Sequence, residues 1–145
     1  ISELFLFAAA RADHVQKVIK ESLKNHKIVI CDRFIDSTLA YQGYAGNLDL
    51  DIVKEVNKIS IGEIYPDITF IFDIDPTQGI ERALGENNKE TRFEEKDILY
   101  HKKIRDGYTN IARDNPHRCV VIDGTDDIEK ISKKILELTL DKINE

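Results

Sequence analysis

Methionine is missing from all 145 residues, cysteine appears only twice, and no apolar run approaches the roughly 20 residues that a membrane-spanning helix needs. The first absence decides nothing about chemistry. The second does: Cys31 and Cys119 stand far apart, each within or beside an apolar stretch, with no paired spacing of the kind that zinc sites and redox dithiols use. Both are therefore expected as reduced thiols packed in a core. His14, His26, His101 and His117 are scattered without ligand spacing and receive no chemistry. Positive charge is also short, with 21 basic against 27 acidic residues and a net charge of -6. That balance argues against broad nucleic-acid binding, which needs a positive surface to release phosphate counterions. A small anionic ligand needs only a local cluster of arginines. No signal-peptide architecture, repeat or low-complexity linker is present. A helical period is already running by Leu4, so a piece of a longer protein is expected.

What remains is enough for a core. With 41% hydrophobic residues, positions 1–145 are expected to form one domain. From Glu3 to about Asn25, steps of about 100° per residue place Leu4, Ala8, Val15, Val18 and Ile19 on one side of a helix. Ile28–Cys31 reads as a buried strand that ends abruptly in Asp32 and Arg33. Gly43 and Gly46 mark a turn or helix end after the polar run 36–42. A second amphipathic helix runs from about Asp49 to Ile61, and Ile68–Phe72 reads as a strand ending at Asp73. Asp75 followed by Pro76 suits a helix N-cap and first turn, giving a short helix to about Leu84. A polar loop follows at about 85–93. The next helix has Tyr100, Ile104, Tyr108 and Ile111 along one stripe and ends before Pro116. Cys119–Ile122 is a third strand. Asp126 with Glu129 suggests a capping box for a last helix buried through Ile128, Ile131, Ile135 and Leu138. Strands alternating with helices imply an α/β fold with a parallel sheet covered on both faces. Three strands are few for such a sheet.

Several residues break the local pattern. Arg11 falls in the middle of an apolar stripe, where an unpaired guanidinium would cost several kcal/mol. Two readings stay open: it pairs inside the fold, or it serves a ligand. Phe7, one turn earlier, favours a site, since an aromatic face beside a forked donor can stack on a planar base and bond to its edge. Asp32 and Arg33 at a strand end suit metal and phosphate together. Asp73 and Asp75 suggest a two-carboxylate metal site, but the proline after Asp75 makes capping the better reading. Lys89 and Arg92 are either a solvated charge run or a lid that brings positive charge over phosphates.

The run Leu6-Phe7-Ala8-Ala9-Ala10-Arg11-Ala12, followed by Cys31-Asp32-Arg33-Phe34-Ile35-Asp36-Ser37-Thr38-Leu39-Ala40-Tyr41-Gln42-Gly43, resembles the thymidylate kinase family. Thr91-Arg92-Phe93-Glu94-Glu95, Tyr108 and Val120-Val121-Ile122-Asp123-Gly124 follow in the family's order, so the resemblance covers essentially the whole chain. It implies a P-loop NTPase-like three-layer α/β fold and transfer of the γ-phosphoryl group of ATP to dTMP, with Mg2+. It also implies a cytoplasmic homodimer without nucleic-acid or membrane partners. By the same resemblance Phe7 stacks on thymine, Arg11 reads the base edge, and Ser37, Thr38 and Gln42 lie by the base. Tyr41 crowds the sugar against a 2′-hydroxyl, Arg33 holds the monophosphate, and Asp32 lies near the magnesium shell. Arg92 approaches the transferring group, while Arg82 and Gly124 border the donor nucleotide. The departures are a lid with only Lys89 before Arg92, and the absence of any Gly-x-x-x-x-Gly-Lys-[Ser/Thr] among the 145 residues. Family order places that loop on a strand before Ile1, between the strands matching Ile28–Cys31 and Ile68–Phe72. The 145 residues alone are therefore expected to be unstable and inactive as a kinase. The alternatives are a deoxynucleoside or other nucleoside monophosphate kinase, or a noncatalytic nucleotide-binding protein.

Overall fold

The computed structural model describes residues 1–85 and 98–144, which fall into two compact units, Ile1–Tyr65 and Pro66–Glu145. The lid expected at about 85–93, with Lys89, Arg92 and the run 91–95, lies almost entirely outside the described residues.

The regular elements of the first unit are all helical. Helix α1 (Ser2–His14) runs without interruption through a π-helical segment (Val15–Ile19) into α2 (Lys20–Lys24), as the periodicity requires. The wider turn inserts an extra residue, so Leu4, Ala8, Val15 and Ile19 keep one buried side. Val18, expected with them, is rotated outward and 48% exposed. After a connection come α3 (Ile35–Thr38), a second π-helical segment (Leu39–Ala45) and α4 (Leu50–Ile61). Gly43 is thus inside a helical segment and not at its end. A Cβ there would come within 2.7 Å of Leu50 Cδ2, so glycine permits the close approach of this segment to α4. Asp49 caps α4, its Oδ1 accepting the N–H groups of Asp51 (2.9 Å) and Ile52 (3.1 Å). Gly62, at φ +60°, ends it in a conformation that suits glycine. Val15, Ile19, Ile35 and Ile61 form the core cluster, with Val29, Phe34 and Ile64 packed on it.

Ile28–Cys31 is not a strand. A strand is held by ladder hydrogen bonds to a neighbour, and the helical unit around this segment offers none. Ile30 is consequently 92% exposed, and Cys31 is an exposed thiol instead of a core one; Cys119 is buried as expected.

The second unit carries the sheet of the described residues: β1 (Thr69–Asp73) and β2 (Cys119–Asp123), parallel and in register from Thr69 opposite Cys119 to Asp73 opposite Asp123. Between them come α5 (Pro76–Gly85) and α6 (Ile98–Asp114), and α7 (Ile128–Asn144) closes the chain. Helix α6 packs on both strands and buries Ile104, Gly107, Ile111 and Ala112. Ile71, Cys119 and Ile122 are buried, whereas Phe72 and Val121 are exposed; Cys119 and Ile122, three apart on β2, lie on opposite faces, so each face of the sheet is covered in part. The cap of α7 is Asp127, whose Oδ1 accepts the Lys130 N–H at 2.8 Å. Asp126, the expected cap, instead binds the Lys130 ammonium at 2.6 Å. Ile131, Ile135 and Leu138 are half-buried, but Ile128, as the first residue of the helix, lies 85% exposed.

Candidate functional site

Two antiparallel polar contacts organise the first unit. Glu3, Phe7 and Arg11 are spaced by four on α1, and Thr38 and Gln42 are spaced by four across the junction of α3 with the π-helical segment. Gln42 Nε2 donates to Glu3 Oε2 at 3.2 Å, and Arg11 Nη2 donates to Thr38 Oγ1 at 2.6 Å. Phe7, 46% exposed, stands on α1 between the two contacts. Helical spacing on both partners thus produces a face with polar contacts at either end and an exposed aromatic ring between.

Arg11 is the most heavily engaged residue of this face. Besides Thr38, its guanidinium donates to the Phe34 carbonyl (3.3 Å) and to Asn57 Oδ1 (3.0 Å), and lies 5.6 Å from the Phe34 ring centroid. Burial lowers the Arg11 pKa, countered in part by the nearby Cys31 and Asp36. Thr38, Gln42, Asn57 and Asp36 are buried, and Ser37 and Tyr41 half-buried. Arg33 is exposed, with its guanidinium carbon 4.9 Å from the centroid of the Tyr41 ring. Asp32 is exposed beside it.

The first unit therefore brings together Phe7, Arg11, Thr38 and Gln42, and separately Arg33 with Tyr41. Sequence reasoning missed Glu3, Phe34 and Asn57. Asn57 carried a readable signal: on α4 it stands with Val53, Ser60 and Ile61 on the buried face, a polar residue in an apolar stripe just as Arg11 is.

In the second unit Arg82 and Gly124 also meet, Arg82 Nη1 donating to the Gly124 carbonyl at 2.8 Å. At the carboxyl ends of β1 and β2 an open cleft of about 420 Å³ is lined in part by Asp73, Asp75, Gln78, Arg105 and Asp123. The carboxylates there are not a metal pair. Asp75 caps α5 through the Thr77 N–H at 3.0 Å, and Arg105 takes the place a cation would occupy, 2.6 and 2.9 Å from the Asp73 oxygens and 3.7 Å from Asp75. Among the described residues no group of three or more His, Cys, Asp or Glu side chains could hold a metal ion. Asp32 is a single exposed carboxylate. It fits the habit of Mg2+, which takes one or two carboxylates and completes its shell with water and substrate phosphates. Arg92 lies outside the described residues.

No helix among the described residues is long and apolar enough to cross a membrane. Residues 1–135 match the family described as Thymidylate kinase. The thymidylate kinase of Geobacter sulfurreducens is 40% identical over 147 residues, covering 98% of this chain and 69% of its own length. That of Afipia carboxidovorans is 44% identical over 138 residues, covering 94% of this chain and 60% of its own. The crystal structure of thymidylate kinase from Ehrlichia chaffeensis is similar with a TM-score of 0.73 at 40% identity, over 96% of this chain and 64% of that one. The chain thus spans about two thirds of the length of these relatives, and the likeness assigns it the α/β fold class of the P-loop kinases. On this evidence of sequence and structure together, the chain belongs to the thymidylate kinase family, a family of phosphotransferases.

Proposed function

We propose that this chain supplies the acceptor side of an ATP-dependent dTMP kinase, which passes the γ-phosphoryl group of ATP to dTMP and forms dTDP. The observation that carries the reading is the α1 face, where exposed Phe7 lies between the Glu3–Gln42 and Arg11–Thr38 contacts. An aromatic face flanked by a fixed forked donor suits a planar base with carbonyl oxygens on its edge. Phe7 stacks on thymine, Arg11 faces its edge, and Ser37, Thr38 and Gln42 line the same side. Tyr41 excludes a 2′-hydroxyl from the sugar.

Arg33 holds the monophosphate. A phosphate monoester oxygen is already anionic near neutral pH, so the chemistry needs positioning and charge neutralisation and no general base. Arg33 is suited to both, being an exposed planar guanidinium steadied by the Tyr41 ring. Asp32 contributes to a Mg2+ shell, and the ion when bound neutralises phosphate charge. Arg82 lies toward the donor nucleotide, Gly124 borders its adenine, and Arg92 supplies charge toward the transferring group. The donor phosphates are assigned to no residue here, since no Gly-x-x-x-x-Gly-Lys-[Ser/Thr] occurs among the 145. The working state is a cytoplasmic homodimer with no nucleic-acid or membrane partner.

The test compares acceptors for the complete gene product supplied with ATP and Mg2+. The expected result is ADP release with dTMP and none above background with thymidine. Phosphorylation of thymidine in preference to dTMP would replace this reading with a deoxynucleoside kinase.

A further inference from the structure

Asn57 is 6% exposed in the last turns of α4, where asparagine is a poor helix former and a buried amide must be satisfied on both sides. Its Oδ1 accepts from Arg11 Nη1 at 3.0 Å, and its Nδ2 donates to the Ile35 carbonyl at 3.1 Å. The partners leave no choice of amide orientation: a guanidinium can only donate and a carbonyl can only accept. Asn57 therefore connects the one buried-face arginine of α1 to the first residue of α3. Two residues before that point stands Arg33, and three after it Thr38, which holds the other Arg11 nitrogen.

We infer that Asn57 is a positioning residue for acceptor recognition. It acts through Arg11 by fixing one guanidinium nitrogen, while Thr38 and the Phe34 carbonyl fix the other. With both terminal nitrogens held, the plane of the fork is set by α4 and α3 before any nucleotide arrives, and base recognition does not have to immobilise a long side chain. Asparagine, by offering an acceptor to Arg11 and a donor to Ile35 at once, does this without placing another charge inside the unit. A serine is too short to reach both, and an apolar residue leaves the Arg11 nitrogen and the Ile35 carbonyl without these partners. The consequence for catalysis is one-sided. Asn57 governs how the base is held and has no contact with Arg33, so its loss acts on acceptor KM and leaves kcat in place.

The inference rests on the reading of Arg11 as the residue that meets the base, and a double-mutant cycle separates the two. Acceptor kinetics are measured on the complete gene product with saturating ATP for Arg11→Ala, Asn57→Leu and the double variant, with melting curves alongside. Arg11→Ala and Asn57→Leu are each expected to raise KM for dTMP about tenfold, with kcat changed less than about twofold. The double variant is expected to be no worse than Arg11→Ala alone, because Asn57 then has nothing to position. Asn57→Gln keeps an amide acceptor for Arg11 and an amide donor for the Ile35 carbonyl, and is expected to stay within about threefold of the parent KM; it decides the matter if Asn57→Leu does not fold. An Arg11→Ala effect on KM combined with multiplicative loss in the double variant overturns the role of Asn57 alone. So does a tenfold KM rise in Asn57→Gln. An unchanged KM in Arg11→Ala overturns the base-reading assignment and this inference with it.

Discussion

Both units carry exposed ion pairs, Lys17 with Asp13 and Lys54 with Asp51 in the first, but they differ in the polar side chains they bury. Asp36, Thr38, Gln42, Asn57 and Ser60, the buried polar residues among those described, all lie in Ile1–Tyr65. Among the described residues of Pro66–Glu145 the ionic contacts are Arg105 with Asp73 and Asp75, Arg113 with Asp114, and Lys130 with Asp126, most of these side chains being more than a third exposed. Water can replace a contact of the second kind and screens it, so geometry there is tolerant. Inside the first unit a displaced donor leaves an unpaired buried group, which costs about 1–3 kcal/mol. Buried polar contacts therefore define one arrangement strictly, which is what a base-reading face requires and a surface ion pair does not supply.

The largest effect should follow from breaking the buried set at its centre. Arg11→Ala removes the partner of Thr38 and Asn57 together and opens space beside Phe34. We expect a loss of about 1–3 kcal/mol in unfolding free energy by urea titration, in addition to the weaker dTMP handling. Stability equal to the parent's would mean that the contacts around Arg11 hold nothing, and the contrast between the units would fail.

Arg33→Ala sharpens the same contrast from the other side. Arg33 is exposed and its contact in the structure is with the Tyr41 ring, so its removal should leave unfolding free energy within about 0.5 kcal/mol. Its proposed task is functional: a charged hydrogen bond to the acceptor phosphate is worth about 1.5–3 kcal/mol, so kcat/KM for dTMP should fall roughly ten- to a hundredfold. Arg11 then affects stability and recognition together, and Arg33 recognition alone. An unchanged kcat/KM would remove Arg33 from the phosphate.

How far the sequence carried this picture depends on whether a signal was local. The cap at Asp75, and the helices that begin there and at about Asp49, were legible because their determinants lie within a few residues. Arg11 was legible as an anomaly, an arginine inside an apolar stripe, although its partners lie 23 to 46 residues away and no periodicity names them. Ile28–Cys31 went wrong for the complementary reason. Its composition suits a strand, but strand formation is a property of a pair, and no pairing is available within the unit that contains it. Val18 was misplaced because a regular 100° step cannot foresee a π-helical turn. The shift from Asp126 to Asp127 at α7 is the one-residue uncertainty that helix ends ordinarily carry.

The smallest effect belongs to the exposed ion pair, and pH gives it a sign. The Arg105 hydrogen bonds lower the Asp73 pKa, against the opposing influence of desolvation and of Asp123 nearby. A carboxylate whose folded pKa lies below its unfolded value binds fewer protons when folded. Its stabilisation is complete above the unfolded pKa of about 3.9 and is lost as pH falls through the lowered folded pKa. Because both side chains are more than a third exposed, the pair should contribute no more than about 1 kcal/mol. Arg105→Ala should therefore differ slightly from the parent in unfolding free energy at pH 7, and the difference should shrink as pH falls from about 4 through the lowered folded pKa, below which Asp73 is protonated in the parent as well. Added salt at pH 7 should shrink it as well, which distinguishes this contact from those of Arg11, where burial limits screening. A loss above about 2 kcal/mol that persists in acid would mean that Arg105 acts through packing on the strands instead of through charge, and the second unit would then resemble the first more closely than its exposed ion pairs suggest.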